Sequence, residues 1–110
     1  MTATAGPRPT LNALVVDDEA HARSELAFLL REDERIGDVH VAASGPEALQ
    51  AIEHHQIDVV FCDIKMPGLD GLDLGRVLAR FARPPKVVFV TAYDEHAVDA
   101  FELRALFFLL

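Results

Sequence analysis

The chain has 110 residues, 51% of them apolar, with 18 acidic against 10 basic residues and a net charge of −8. That length suits one domain burying roughly two thirds of the surface its unfolded chain exposes, and the scattered cations argue against a nucleic-acid-binding surface. The one cysteine, Cys62, excludes an internal disulfide; there is no Cys/His cluster for structural zinc, and no apolar run nears the roughly 20 residues that span a bilayer. The expected class is a soluble, cytoplasmic, acidic single domain.

Residues 1–10, MTATAGPRPT, lack an apolar core or a charged start and read as a disordered tail, not a signal peptide. The domain then occupies 11–110. Leu11-Asn-Ala-Leu-Val-Val16 is apolar, β-branched at its end, and stops at two acids, which suits a buried parallel strand. Asp17 or Asp18 offers an N-cap to a helix over 19–31, because a carboxylate at a helix start accepts orphan N–H groups and complements the dipole. Ala22, Leu26, Leu29 and Leu30 share one face of that helix, with Arg23, Glu25 and Arg31 off it. A second strand is expected over 39–43. Ser44 precedes Glu47 by three residues as a capping box, with Pro46 in the first turn. Ala48, Leu49 and Ile52 form the inner face of that helix, which ends near His54-His55, where imidazoles can meet terminal carbonyls.

A third strand over 57–62 ends at Asp63. Pro67-Gly68 and Gly71 punctuate a loop, and a third helix with Leu72, Leu74, Val77, Leu78 and Phe81 as its apolar set runs toward Pro84-Pro85. A fourth strand over 86–90 ends at Thr91, a short helix is expected over 95–103, and residues 106–110 read as a fifth strand. The alternation βαβαβαβαβ predicts an α/β fold with helices on both faces of a parallel sheet. In the flavodoxin-like doubly wound order 2-1-3-4-5, strands 1 and 3 are neighbours and the strand order reverses between them, where sites form at the carboxyl ends.

Asp17, Asp18 and Asp63 would then converge, with Thr91 beside them. Converging carboxylates raise one another's pKa values unless a cation shares the site. Mg²⁺ suits such a pocket, taking one or two carboxylates, waters and a phosphate oxygen. Both GxGxxG and GxxxxGK[ST] are missing, so no bound nucleotide is expected. The phosphoryl carrier is instead a protein carboxylate, an aspartyl phosphate made by in-line attack.

Val15-Val16-Asp17-Asp18-Glu19, Asp63-Ile-Lys-Met-Pro-Gly68 and Val90-Thr91-Ala92, in that order and spacing, resemble the receiver domain of two-component response regulators over about residues 11–110. Within that family, Leu69-Asp-Gly71, Thr91-Ala-Tyr-Asp94 and Ala97…Ala100-Phe101 look closest to LytTR-type regulators, which join a receiver to a DNA-binding domain not present here. The resemblance makes Asp63 the phosphoacceptor for a histidine kinase. Asp18, Asp63 and the backbone carbonyl of Lys65 would bind Mg²⁺, and Asp17 would act mainly through a metal-bound water. Thr91 would donate to a phosphoryl oxygen, with Ala92 leaving the approach open, and Phe108 would be the switch aromatic coupled to Thr91. Self-catalysed phosphorylation and dephosphorylation come with the family, but the chain is expected to be a switch and not an enzyme in the usual sense.

The family pattern continues after its fifth strand with Lys-Pro and a fifth helix, whereas this chain stops at Phe107-Phe108-Leu109-Leu110. The expectation is a C-terminally incomplete receiver lacking its last helix, whether a cut or truncated product. Lys86 begins the fourth strand, roughly 16 Å from the site at ~3.3 Å per residue, and cannot replace the missing lysine. Lys65, beside the site, is the candidate to supply part of its charge. Apolar residues of the last strand left uncovered would favour a dimer, through the fourth-helix and fifth-strand face or a swapped element. DNA would be reached only through a further domain, and no membrane partner is expected. The alternative is a phosphorylation-independent interaction module that dimerises through the fifth strand. A haloacid-dehalogenase-type phosphatase is set aside because it needs an acid where Lys65 stands. Cys62 is read as a small core residue. His21, His40 and His96 have no ligand spacing, and Tyr93 either lines the switch surface or is a half-buried loop aromatic.

Overall fold

The computed structural model describes residues 9–91 and the strand 106–109; Thr91 and that strand are described by backbone alone. Five strands, β1 (Leu11–Val16), β2 (Ile36–Ala42), β3 (Val59–Cys62), β4 (Lys86–Thr91) and β5 (Leu106–Leu109), form one parallel sheet in the order β2-β1-β3-β4-β5. Three helices are described between them: α1 (Ala20–Arg31), α2 (Gly45–His54) and α3 (Gly71–Leu78). The expected doubly wound order is therefore the observed one. The short helix expected over 95–103 and most of the N-terminal tail lie outside the described residues.

Alternation along the strands divides the core between two faces. On one face Leu14, Val16, Val60, Cys62 and Phe89, all nearly inaccessible, pack with Ala48 of α2 and Leu72, Leu74 and Leu78 of α3. Fully burying each large side chain of this set stabilises the fold by about 1.5–3 kcal/mol before the cost of ordering it. On the other face α1 lies across β1 and β2. Its buried residue is Ala27, whereas Phe28 and Leu29 are 61% and 58% exposed, so Leu29, which the sequence places with Ala22 and Leu26 on the apolar face, is on that side but not buried. Beside α1 a cleft of about 440 Å³ runs over Val15, Phe61 and Val90, walled by Ala22, Leu26 and Leu29.

Element ends depart from the pattern for identifiable reasons. β2 begins at Ile36, before the expected 39, because Ile36 pairs with Leu11 and the Asn12 side chain accepts the Asp38 N–H across a register shift. β3 begins at Val59 because the Asp58 carboxylate takes the Asn12 N–H at 2.8 Å, a side chain standing in for a ladder carbonyl. α3 ends at Leu78, well before the prolines, as Arg80 and Phe81 close onto Val77 and Leu78 in tighter i→i−3 bonds. The α1 N-cap is Glu19, whose carboxylate accepts from the His21 N–H, and not Asp17 or Asp18. Asp17 instead turns back to accept the Glu19 N–H at 2.9 Å, the short-range competition expected of an Asp side chain. Ser44 caps α2 as predicted, accepting the Glu47 N–H, but Glu47 reciprocates at the Ala43 N–H, one residue upstream of a standard capping box.

Two glycines near Asp63 serve for different reasons. Gly68 has φ +75° and open space where a Cβ would go, so its need is conformational. A Cβ on Gly71 would lie 2.3 Å from the Asp63 carbonyl oxygen and 2.8 Å from the Ile64 Cα, while its N–H donates to the Ile64 carbonyl at 2.9 Å. Helix α3 can thus start against the β3–α3 backbone only with no side chain at 71. Gly71→Ala should lower unfolding free energy in urea by about 1–3 kcal/mol, the cost of overpacking. Gly68→Asn, in contrast, should be nearly neutral, because Asn tolerates the left-handed region.

Candidate functional site

The sheet ladders carry the acids to their places. Val16 pairs with Cys62 across β1 and β3, and the next bond, from the Asp63 N–H to the Val16 carbonyl at 3.1 Å, extends that ladder past the strand ends. On the other side the Asp17 N–H donates to the Ala42 carbonyl at 3.2 Å. Asp17 and Asp63 therefore leave neighbouring strands at the same level, and Asp18 follows directly. Carboxylate oxygens of Asp17, Asp18 and Asp63 all lie within 4.8 Å of one another, with Asp18 exposed and the other two half-buried. The site predicted from the strand-end acids is thus assembled in space.

The electrostatics are those of crowded like charges. The Asp63 carboxyl is held above the ordinary carboxylate range, first by burial and next by the Asp17 charge, against a lowering pull from the Lys65 and Ile64 backbone N–H groups. Asp17 is raised mainly by burial and by repulsion from Asp18 and Glu19, while the Glu19 N–H and the Arg23 charge act in the opposite sense. The donors are all hard oxygens from three carboxylates, two of them half-buried, which fits a small oxygen-seeking cation such as Mg²⁺.

Around these acids the neighbours are fixed from several elements. Gly71 abuts the Asp63 backbone, and α3 is capped at Asp70, whose carboxylate accepts the Asp73 N–H at 2.9 Å. Ile64 and Met66, which sequence reading left in a loop, are buried in the core and pin the segment after Asp63. Cys62 is 1% exposed, its thiol donates to the Asp63 carbonyl at 3.2 Å, and burial pushes the thiol far above its usual range, in keeping with a core role. Arg23, which the sequence pattern puts off the apolar face of α1, is half-buried, and its guanidinium donates to the Asp17 carbonyl at 2.9 Å. Its spacing of four from Ala27 and seven from Leu30 is the signal that could have put it on the sheet-facing stripe.

Other expected participants are placed in part. Lys65 is exposed and contributes a backbone N–H to the Asp63 carboxylate. Thr91 ends β4 opposite Leu109 of β5; its side chain, that of Phe108, and residues 92 and 93 lie outside the described residues. Lys86 pairs with Val59, at the end of the sheet away from Asp63. His54 meets the Gln50 carbonyl at 2.8 Å, as expected of a helix-end histidine. His40 and His55 stack at 3.9 Å between ring centroids, a contact with no sequence signature.

Comparison with known proteins points the same way as the site. The response regulator receiver domain model matches residues 13–110. The transcriptional regulatory protein LytR of Staphylococcus aureus is 37% identical over 100 residues, which are 91% of this chain and 41% of that protein. The chain thus spans about two fifths of the length of such curated relatives, and LytR accords with the LytTR-like segments of the sequence. Among solved structures, the response regulatory domain of mrkE from Klebsiella pneumoniae superposes with a TM-score of 0.82 at 37% identity, covering 91% of this chain and 82% of that one. The Thermotoga maritima response regulator TrrA, solved in complex with Mg²⁺-BeF, gives a TM-score of 0.79 at 31% identity, covering 92% of this chain and 86% of that one. With the family model spanning nearly the whole sequence and the strand-end acids converging in the same fold, the chain belongs to the response regulator receiver domain family of two-component systems.

Proposed function

We propose that this receiver accepts a phosphoryl group on Asp63 from a histidine kinase phosphohistidine and thereby switches an output, most simply a transcription-regulating domain, since relatives such as LytR are transcriptional regulatory proteins. The observation that carries the reading is the meeting of Asp17, Asp18 and Asp63 carboxylates within 4.8 Å at the ends of adjacent strands. A lone acceptor would need neither of the others.

The roles are those the family resemblance implies. An Asp63 oxygen attacks phosphorus as the phosphorus–nitrogen bond of the donor breaks, and the electron pair of that bond stays on the imidazole nitrogen, which can then take a proton. Asp63 is oriented for this by the N–H groups of Ile64 and Lys65. Asp18, Asp63 and the Lys65 carbonyl are assigned to hold Mg²⁺, with Asp17 acting through water. Bound Mg²⁺ would supply positive charge against the acidic pocket and the incoming phosphoryl oxygens. Thr91, at the end of the strand beside Asp63, is assigned to donate its hydroxyl to a phosphoryl oxygen and, with Phe108, to bias the two-state equilibrium that a switch requires. In this reading the chain is a phosphoacceptor with self-catalysed turnover, not an enzyme in the usual sense. It would work in the cytoplasm, where the kinase presents its phosphohistidine; among the described residues no helix is long and apolar enough to cross a membrane. A dimer through the face bearing β5 would couple the switch to output.

Incubation with Mg²⁺ and a small phosphodonor should add one phosphoryl group by intact mass, with the gain abolished in Asp63→Asn. No gain in the parent chain would instead favour a phosphorylation-independent interaction module. The raised carboxyls at 17 and 63 yield a second expectation. A group whose folded pKa exceeds its unfolded value binds protons better when folded, so the metal-free fold loses stability as pH rises through the interval between the two values. Asp63→Asn should therefore raise the metal-free Tm at about pH 7.5 but have little effect near about pH 3, where both states of the parent are mostly protonated. Mg²⁺ at about 100 times its Kd should stabilise the parent by about 2.7 kcal/mol at the higher pH, and little at the lower, where protons compete for the same oxygens.

A further inference from the structure

The Asp17–Asp18 peptide is held by groups outside the acidic cluster. The Asp17 N–H is taken by the Ala42 carbonyl at 3.2 Å, its carboxylate by the Glu19 N–H at 2.9 Å, and its carbonyl by the Arg23 guanidinium at 2.9 Å. Asp18, the next residue, is exposed, and among the described residues no hydrogen bond holds its carboxylate. The peptide plane before Asp18 sets the direction of its Cα–Cβ bond, and so bounds where the carboxylate can reach. One edge of that plane is the carbonyl to which Arg23 donates.

Helix stability does not account for this arginine. Arg23 lies in the first turn of α1, where its backbone N–H already bonds to the Glu19 carbonyl at 3.0 Å. A cation there has the wrong sign for the helix dipole. Salt bridging does not account for it either, since the short contact is to a carbonyl and not to a carboxylate. A half-buried cation, spaced with Ala27 on the buried stripe, makes its short contact with a backbone oxygen, while its charge also favours the ionised Asp17 carboxylate at longer range.

We infer that Arg23 is a positioning residue for the Mg²⁺ site: by clamping the Asp17 carbonyl it orients the Asp17–Asp18 peptide, and so aims the Asp18 carboxylate at the place where Asp63 can share a cation with it. The inference rests on the Mg²⁺ reading of the acidic cluster and adds a residue that touches neither metal nor phosphoryl group. It requires the reach and planar fork of arginine, not its charge alone, which by itself would oppose a divalent cation.

The test uses the full chain and the variants Arg23→Met and Arg23→Lys, titrated with Mg²⁺ and followed by backbone amide NMR, with Tm measured without metal. Arg23→Met should weaken Mg²⁺ binding on the order of 10-fold, as loss of a group supporting a metal ligand does. Metal-free shift changes should centre on residues 17–19. Arg23→Lys should recover only part of the affinity, and the ratio to the parent should persist in high salt. Unchanged Mg²⁺ affinity in Arg23→Met, even with a lowered Tm, would overturn the inference and leave the Mg²⁺ reading standing. Full recovery by Lys, or a defect that vanishes in high salt, would also overturn it, because charge alone would then suffice. A parent chain that binds no Mg²⁺ would overturn both the inference and the reading beneath it.

Discussion

Three carboxylates crowded at the ends of β1 and β3 are the constraint around which the upper edge of this sheet is organised. The crowding is imposed by the ladder, since Asp17 and Asp63 continue the hydrogen bonding of paired strands and cannot separate without breaking it. Repulsion and burial both work against the charged forms. The fold answers with fixed donors: the Glu19 N–H for Asp17, the Ile64 and Lys65 N–H groups for Asp63, and the Arg23 guanidinium at the Asp17 carbonyl. These soften the repulsion without removing it, which leaves a site whose energetics favour an arriving cation.

The rigidity of that site comes from packing beneath and beside it. Leu14, Val16, Val60, Cys62 and Phe89 form a dense layer under α2 and α3, and interiors packed at this density transmit displacement instead of absorbing it. Gly71 brings the start of α3 onto the Asp63 backbone, and buried Ile64 and Met66 anchor the turn on either side of Lys65. The acceptor is thus held from the strand before it and the helix after it. The α1 face is looser, with Leu29 and Phe28 exposed and a cleft leading from Asp17 and Asp63 along Val15, Phe61 and Val90.

Much of the fold was legible because β1, β3 and β4 are short apolar runs ended by a polar residue and each described helix start carries a side-chain oxygen. Ser44 caps as its chemistry predicts, and Asp70, for which no cap was foreseen, does so by the same chemistry. Apart from the end of α3, which tightens through its own backbone, the misplaced ends share one cause, side chains acting in place of backbone. Asn12 and Asp58 complete the lower edges of β2 and β3, and Asp17 folds back onto Glu19, which passes the capping role one residue on. The Asn12 contacts depend on partners distant in sequence and the Asp17 turn on which of several adjacent acids folds back, and local periodicity registers neither.

The sequence by itself determined the parallel α/β class, the strand-end acids Asp17, Asp18 and Asp63, and the family resemblance that joins them, because those depend on hydrophobic period and residue type. Tertiary structure decided which groups meet. Only the register of β1 against β3 brings the carboxylates within 4.8 Å, only the approach of α3 explains why residue 71 has no side chain, and only the seating of α1 on the sheet turns Arg23 toward the Asp17 carbonyl. Each of these is a contact between segments that hydrophobic pattern places in the same layer but does not set at bonding distance.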